Sequence, residues 1–488
     1  MFVVKINEAK YEYDIHSLVK AFYPEDNVKV LTPDTGEEKV RELEPDTKME
    51  VTFRKEDIKI RFPEGSPFCL TFQDLDGARS AKDTFKRFLY TTLCTYTGKV
   101  LPWGNLTGIR PTKIAMGLLE EGCSELQTEA YMQEEHFVSK EKASLSVEIA
   151  KREKELLSNL HDENGYSLYI GIPFCPTTCL YCSFTSNPIC KFQNRVEEYI
   201  NSLIKEMIFV SEAFSDKVLD SVYIGGGTPT TLDADQLDKL LTALQELFDF
   251  STVQEFTVEA GRADSITKDK LEVLKKHNVG RISINPQTMN AETLKVIGRQ
   301  ATPLQVKEAF KLARETADFN INMDIILGLP GEGEQDVIET MEEIIKLKPD
   351  SLTVHSLAIK RASKLAEWIK EHGLATIHNT DVTMDIASKG AVAMEMHPYY
   401  LYRQKNMSGN FENVGYATEG NYGRYNILIM EEKQTIMALG AGSITKVVFP
   451  DGRIERTDNV KDVSLYIEKI DEMIARKQSM LEMLRKSV

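Results

Sequence analysis

The sequence predicts an α/β fold: an incomplete barrel of six β/α units, with an N-terminal α+β domain and a C-terminal α/β accessory domain. Two observations carry that expectation. From about Tyr166, short apolar runs alternate with amphipathic stretches, the pattern of a parallel sheet with helical crossovers. The residues of unusual chemistry fall at the carboxyl ends of those runs, the rim where β/α barrels place their sites.

Strands are expected at Tyr166–Ile172, Asp220–Ile224, Glu255–Glu259, Val279–Ile284, Asn320–Leu327 and Ser351–Ala358. Helices are expected at Asn194–Phe214, Ala234–Leu247, Pro303–Glu315 and Glu334–Leu347. In the first helix Ile200, Leu203, Ile204 and Met207 follow the one-face spacing of a 3.6-residue period. Six units fall short of the eight that close a full barrel. Upstream, Met1–Ile6 and Met49–Phe62 alternate as strands do, and helical patterning starts near Ser80. A charged helix at about Lys140–Leu157 leads to a polar break at His161-Asp-Glu-Asn-Gly165. Downstream come a helical stretch from about Thr380, the run Tyr399–Arg403, a hairpin signal at Asp451-Gly452 and an amphipathic helix from about Val463. The domains are expected at 1–160, 161–380 and 381–488, the last covering the active site.

Composition narrows the function. The chain has 488 residues, enough for two or three full-sized cores. A net charge of −16 argues against general affinity for nucleic acid or anionic membranes, and makes local basic islands informative. No apolar run approaches a membrane span, and the N-terminus reads as neither a signal peptide nor a lipidation site, so a cytoplasmic location is expected. Seven cysteines, an odd number in so long a chain, do not suggest a disulfide framework.

Three of those cysteines, Cys175, Cys179 and Cys182, crowd into one short run just after the first barrel strand. A C-x3-C-x2-C triplet offers three thiolates to a [4Fe–4S] cube and leaves one iron open for a substrate or cofactor. A zinc site is the alternative, with Cys190 or His161 as a fourth ligand. Gly225-Gly226-Gly227-Thr228-Pro229 follows the second strand; glycine lets backbone approach a ligand closely, and the run lacks the Lys-Ser/Thr of a phosphate loop.

The triplet spacing, with Tyr169-x-x-x-Pro173-Phe174 and Leu180-Tyr181 around it, resembles that of the radical S-adenosylmethionine (SAM) enzymes. Arg281-x-Ser-x-x-x-Gln287 and Asp324-x-x-x-Gly328-Leu-Pro-Gly331 extend the likeness to the oxygen-independent coproporphyrinogen III oxidases. The segment Leu101-Pro-Trp-Gly-Asn-Leu-Thr-Gly-Ile-Arg-Pro111 resembles the HemZ-type branch of that family. The resemblance implies a [4Fe–4S] cluster on Cys175, Cys179 and Cys182, and SAM held by Tyr169, Tyr181, Gly226, Gly227, Thr228, Glu259, Gln287, Arg299, Asp324, Ala358 and Ile444. Arg299 would pair with the SAM carboxylate, and Asp324 would accept from the ribose. A tetrapyrrole substrate with carboxylate arms would use Lys360, Arg361, Arg403 and Lys405. The implied reaction is oxidative decarboxylation of coproporphyrinogen III to protoporphyrinogen IX, with an electron donor such as a flavodoxin or ferredoxin.

Two departures leave other readings open. The oxidases continue to C-x3-C-x2-C-x-C, where this chain has Phe184, and the histidine of their Tyr-x-His is Gly171 here. Such departures occur in relatives that serve as haem chaperones or act as radical enzymes on haem.

Overall fold

The computed structural model describes residues 1–24, 26–71, 80–108, 110–161, 164–360, 363–373, 376–404, 407 and 411–486. The chain divides into two compact units, one of Met1–Lys151 with Arg403–Phe411, the other of Arg152–Tyr402 with Glu412–Val488.

The N-terminal unit is α+β. Strands β1 (Phe2–Ile6), β2 (Val28–Leu31), β3 (Thr47–Phe53), β4 (Asp57–Arg61) and β5 (Phe68–Thr71) form one sheet in the order β2-β1-β3-β4-β5. β1 runs parallel to β2 and β3, and the last three strands form an antiparallel meander. The long alternating segment at Met49–Phe62 thus becomes a hairpin, because Arg54-Lys-Glu-Asp57 supplies a polar turn. Helices Glu12–Phe22 and Ala81–Thr97 bring Ile15, Leu18, Phe22, Phe85, Leu89 and Leu93 into the core of this sheet. Ser80 caps the second helix by accepting from the Asp83 N–H.

The second unit holds the sheet that positions the site. Strands β6 (Gly165–Ile172), β9 (Val218–Gly226), β10 (Glu255–Glu259), β11 (Arg281–Ser283), β12 (Asn320–Leu327) and β13 (Ser351–Ser356) lie side by side in chain order, all parallel. Between β6 and β9 the short strands β7 (Phe174–Cys175) and β8 (Asn187–Pro188) pair with each other. Every residue of β6 but Tyr169 is buried, as expected of a parallel strand covered on both faces. Helices Val196–Ala213, Ala234–Leu247, Lys268–Lys276, Pro303–Thr316 and Glu334–Leu347 lie on the crossovers. Asp233 and Thr302 form capping boxes at the starts of the second helix and of Pro303–Thr316, and the Asp336 carboxylate accepts from the Gly333 N–H at the start of the last, which stops each of these strand-to-helix loops at a defined residue.

The residues from 381 onward do not form a compact unit of their own. Strand β15 (Asn413–Ala417) pairs antiparallel with β13, β14 (His397–Tyr402) pairs antiparallel with β15 beyond it, and β16 (Thr435–Leu439) pairs parallel with β6 on the other side. Strands β17 (Ile444–Val448) and β18 (Ile454–Asp458) extend that edge as a hairpin. The sheet therefore has a seventh parallel strand and eleven strands in all. At its base Ser167, Ser221, Asp220 and Gln434 join β6, β9 and β16 through hydrogen bonds of 2.6–2.9 Å.

A buried carboxylate fastens the C-terminal segment. Glu206, on helix Val196–Ala213, accepts from Lys477 Nζ (2.7 Å), Asn459 Nδ2 (2.8 Å), Tyr466 Oη (2.6 Å) and the Gly440 N–H (2.9 Å). Lys477 belongs to helix Ile470–Arg485, and the pair is 1% and 0% exposed. Breaking one half of such a pair leaves an uncompensated charge in a dry interior. Lys477→Met is therefore expected to cost about 3–5 kcal/mol in urea unfolding. Lys346→Met, which breaks an exposed pair with Glu343, should leave the unfolding curve unchanged.

Candidate active site

The cysteine loop opens where β6 ends, and the β7–β8 pairing pinches its two ends together. Cys175 and Cys179 are buried, Cys182 is half-buried, and all three thiols are free. The loop is pinned on both sides. The Leu180 N–H donates to the Ile297 carbonyl, and the Leu180 carbonyl accepts from Leu365, each at 3.0 Å. Arg262, 3% exposed, donates to Thr177 Oγ1 (2.8 Å), approaches Cys179 Sγ at 3.9 Å, and forks onto Asp264 at 2.9 and 2.6 Å. Burial pushes the Cys175 thiol up to about 11, with the Thr228 hydroxyl opposing it. Burial raises Cys182 as well. Among the described residues no three His, Cys, Asp or Glu groups gather as a single-metal site, the arrangement a tetrahedral zinc needs.

The glycine run locks onto this loop. The Gly227 and Thr228 N–H groups donate to the Ile172 and Phe174 carbonyls at 2.8 and 2.7 Å, and the Thr228 hydroxyl lies 3.5 Å from Cys175 Sγ. Gly226 sits at φ +106°, and a Cβ on Gly227 would lie 2.5 Å from the Phe174 carbonyl oxygen and 3.0 Å from Cys175 Sγ. Both positions exclude other residues, the first by conformation and the second by space.

Other expected SAM contacts occupy the carboxyl ends of neighbouring strands. Glu259 ends β10 and accepts from Tyr223 Oη and the Gly226 N–H. Tyr223, Tyr169 and Tyr425 cluster with their rings near parallel, Tyr223 4.4 Å from Tyr425 and each of these two just over 6 Å from Tyr169, so the acid rests on an aromatic floor. Gln287 adopts φ +68°, rare for a side chain with a Cβ, and two backbone hydrogen bonds of 2.9 Å to β12 hold it there. Asp324 faces inward from β12. It accepts from Asn322 at 2.7 Å and faces His355 Nε2 at 3.7 Å. Burial alone would raise its carboxyl, but hydrogen bonds from His355, Asn322 and Thr353 hold it below the usual range.

Arg299 is the residue best disposed to receive an anionic group. Its Nη1 donates to the Gly261 and Asn285 carbonyls (3.1 and 3.0 Å), and its Nη2 donates to Tyr181 Oη (3.1 Å). Its Nε is buried with no acceptor, and Ser283 Oγ is likewise buried and unanswered. A buried donor in that condition costs about 1–3 kcal/mol unless a ligand answers it. A free thiol triplet, a close-fitting glycine run and an unanswered guanidinium nitrogen fit an iron–sulfur cube with a carboxylate-bearing ligand.

Other expectations shift. Ala441, Gly442 and Ser443, from the loop after β16, line a hollow with Tyr169, Gly226 and Phe184, whereas Ile444 itself is 51% exposed. Ala358 is half-buried just beyond β13. Lys360 is half-buried on the same rim, and Arg361 and Lys405 lie outside the described residues. Arg403 is not a surface cation. It belongs to the N-terminal unit, is 5% exposed, lies over the Trp103 ring at 5.7 Å and donates to the Leu106 carbonyl at 2.7 Å. Sequence reasoning assigned no role to Arg262, Tyr223 or His355. Arg262 had a signal, since Gly261-Arg-Ala-Asp264 directly follows the end of β10.

The electrostatics of Glu259 are testable without cofactors. Burial moves its carboxyl from the ordinary 4.5 to about 7, with the nearby Asp324 adding to the rise and the Tyr223 hydrogen bond opposing it. The folded protein therefore holds a proton that the unfolded chain has already lost. That contribution is complete below the unfolded value and disappears as pH rises through about 7. Glu259→Gln has no such proton, so its melting temperature should gain on the wild type between pH ~5 and ~8. A constant difference across that range would contradict the assignment.

Comparison with known proteins gives the same picture. Residues 169–344 match the Radical SAM superfamily model. The chain is 40% identical over 411 residues, 83% of its length and 82% of the relative's, to the oxygen-independent coproporphyrinogen-III oxidase-like protein HemZ of Bacillus subtilis (strain 168). It is 30% identical over 309 residues, 63% of its length and 76% of the relative's, to the heme chaperone HemW of the same organism. Among solved structures, coproporphyrinogen III oxidase (HemN) from Escherichia coli shares the fold at TM-score 0.52 and 21% identity, over 66% of this chain and 72% of that one. The chain belongs to the HemZ-type, oxygen-independent coproporphyrinogen III oxidase-like family of radical SAM proteins, whose cofactors are a [4Fe–4S] cluster and SAM.

Proposed function

We propose that this protein is a radical SAM enzyme that decarboxylates coproporphyrinogen III oxidatively to protoporphyrinogen IX. The observation that carries this reading is the similarity to HemZ, over an alignment longer than either compact unit. When bound and reduced, the cluster and SAM together supply one-electron cleavage of a sulfonium and a species able to abstract hydrogen.

The chain's own residues do the rest. Cys175, Cys179 and Cys182 would hold the cluster, with the Arg262 guanidinium 3.9 Å from Cys179 Sγ. Arg299 would receive the SAM carboxylate on its unanswered Nε. Asp324, kept ionised by its hydrogen-bond donors, would accept from the ribose hydroxyls. Glu259 and Gln287 would bond the methionyl part or the ribose, Gly226–Thr228 would meet the amino group, and Tyr169, Tyr181 and Ala358 would bound the nucleoside. Each decarboxylation removes hydrogen beside a propionate, releases carbon dioxide, leaves a vinyl group, and passes an electron to an acceptor. A flavodoxin or ferredoxin in the cytoplasm supplies the reducing electron.

Strictly anaerobic reconstitution with iron and sulfide, followed by SAM, a strong reductant and coproporphyrinogen III, tests the proposal. Mass spectrometry is expected to find 5′-deoxyadenosine together with the divinyl product. The similarity to HemW, and Phe184 in place of a cysteine, favour a second reading, a haem-binding chaperone. Tight haem binding with no deoxyadenosine under any substrate would establish that reading instead. Deoxyadenosine with coproporphyrinogen untouched and haem consumed would point to a radical enzyme of haem.

Two variants probe the cofactor residues. Arg299→Lys keeps the charge and loses the planar fork, and should weaken SAM binding about tenfold or more at unchanged iron content. Gly227→Ala drives a methyl group into the Phe174 carbonyl and should lower the iron and sulfide retained per chain.

A further inference from the structure

Phe184 stands where the oxidases have their fourth cysteine, and it is not packed away. It is 69% exposed, the most exposed large aromatic side chain among the described residues. An aromatic ring in water forfeits its burial energy, so such exposure beside a site is informative. The ring lines the same hollow as Tyr169, Gly171, Gly226 and Ala441–Ser443, between the cysteine loop and the loop after β16.

Lys360 approaches from the opposite side of the rim. It follows β13, and its Nζ lies 5.5 Å from the centre of the Phe184 ring. Among the described residues no carboxylate pairs with it, although the chain carries a net charge of −16. Its side chain is half-buried, on the same rim as the cluster loop. The pair thus offers an apolar ring face with a half-desolvated cation above it. That combination suits a flat, largely apolar ligand that carries carboxylates on short arms.

We propose that Phe184 and Lys360 form the docking shelf for a carboxylated tetrapyrrole: the macrocycle lies against the Phe184 ring and one propionate meets the Lys360 ammonium. The inference rests on the tetrapyrrole reading above and deepens it. It makes residue 184 a specificity determinant in this chain, a ring surface in place of a thiol.

The test uses the full chain, reconstituted anaerobically, and two unreactive probes: coproporphyrin III and its tetramethyl ester, titrated by absorbance and fluorescence. Phe184→Leu should weaken binding of both probes about three- to tenfold, while Phe184→Tyr binds as the wild type does. Lys360→Met should weaken the free acid about tenfold and leave the ester unaffected. Iron content and circular dichroism identify any variant that fails to fold, and Lys360→Arg then serves as the charge-retaining comparison. Wild-type affinity for coproporphyrin in both Phe184→Leu and Lys360→Met would overturn the shelf and leave the tetrapyrrole reading standing. A wild-type protein that binds neither probe nor haem would overturn both.

Discussion

A carboxylate out of contact with water is stable only when its lone pairs are answered, and Glu206 meets that condition with donors from four separate stretches of chain. The consequence is architectural. One of those donors is the Gly440 N–H, so the ion pair with Lys477 fixes the backbone of the loop that lines the hollow at Gly442 and Ser443. Tyr199, on the same helix as Glu206, completes the fastening. Its hydroxyl donates to the Gly171 carbonyl at 2.7 Å and accepts from the Ala441 N–H at 3.0 Å. The last helix of the fold therefore acts on the site through a buried charge, although no residue of that helix lines the hollow.

The parallel sheet imposes a second constraint. Because its central strands all point the same way, whatever follows each of them arrives at one edge, and chemistry gathers there without long loops. The cysteine loop, the glycine run, Glu259, Gln287 and Ala358 were legible for that reason: each sits at or just past the end of an apolar run, and the order of runs is the order in space. Local pattern sufficed because these neighbours in the sheet are also neighbours in sequence.

What was not legible is the part of the structure made by distant partners. Thr435–Leu439 reads only as a short apolar stretch; nothing local reveals that it lies beside β6, joined by the Ser167–Gln434 bond across 267 residues. For the same reason nothing local shows that Ala441–Ser443, just before Ile444, line the hollow beside Tyr169. Arg403 failed in the same way. In Tyr-Leu-Tyr-Arg-Gln-Lys it has the company of a surface island, yet the Leu106 carbonyl that receives it is 297 residues away in sequence. Burial of a cation depends on who covers it, which periodicity does not record.

The pairing of β6 with β16 also has a consequence for how the protein is made. Ribosomes deliver the amino end first, at roughly 5–20 residues per second. The segment bearing Cys175, Cys179 and Cys182 is therefore synthesised well before its far-side strand, and a gap of 267 residues corresponds to some tens of seconds. Over that interval β6 is an open, apolar sheet edge, the kind that invites mispairing. The three thiols meanwhile stand in a chamber with one wall missing, open to iron–sulfur donors and to oxidants alike.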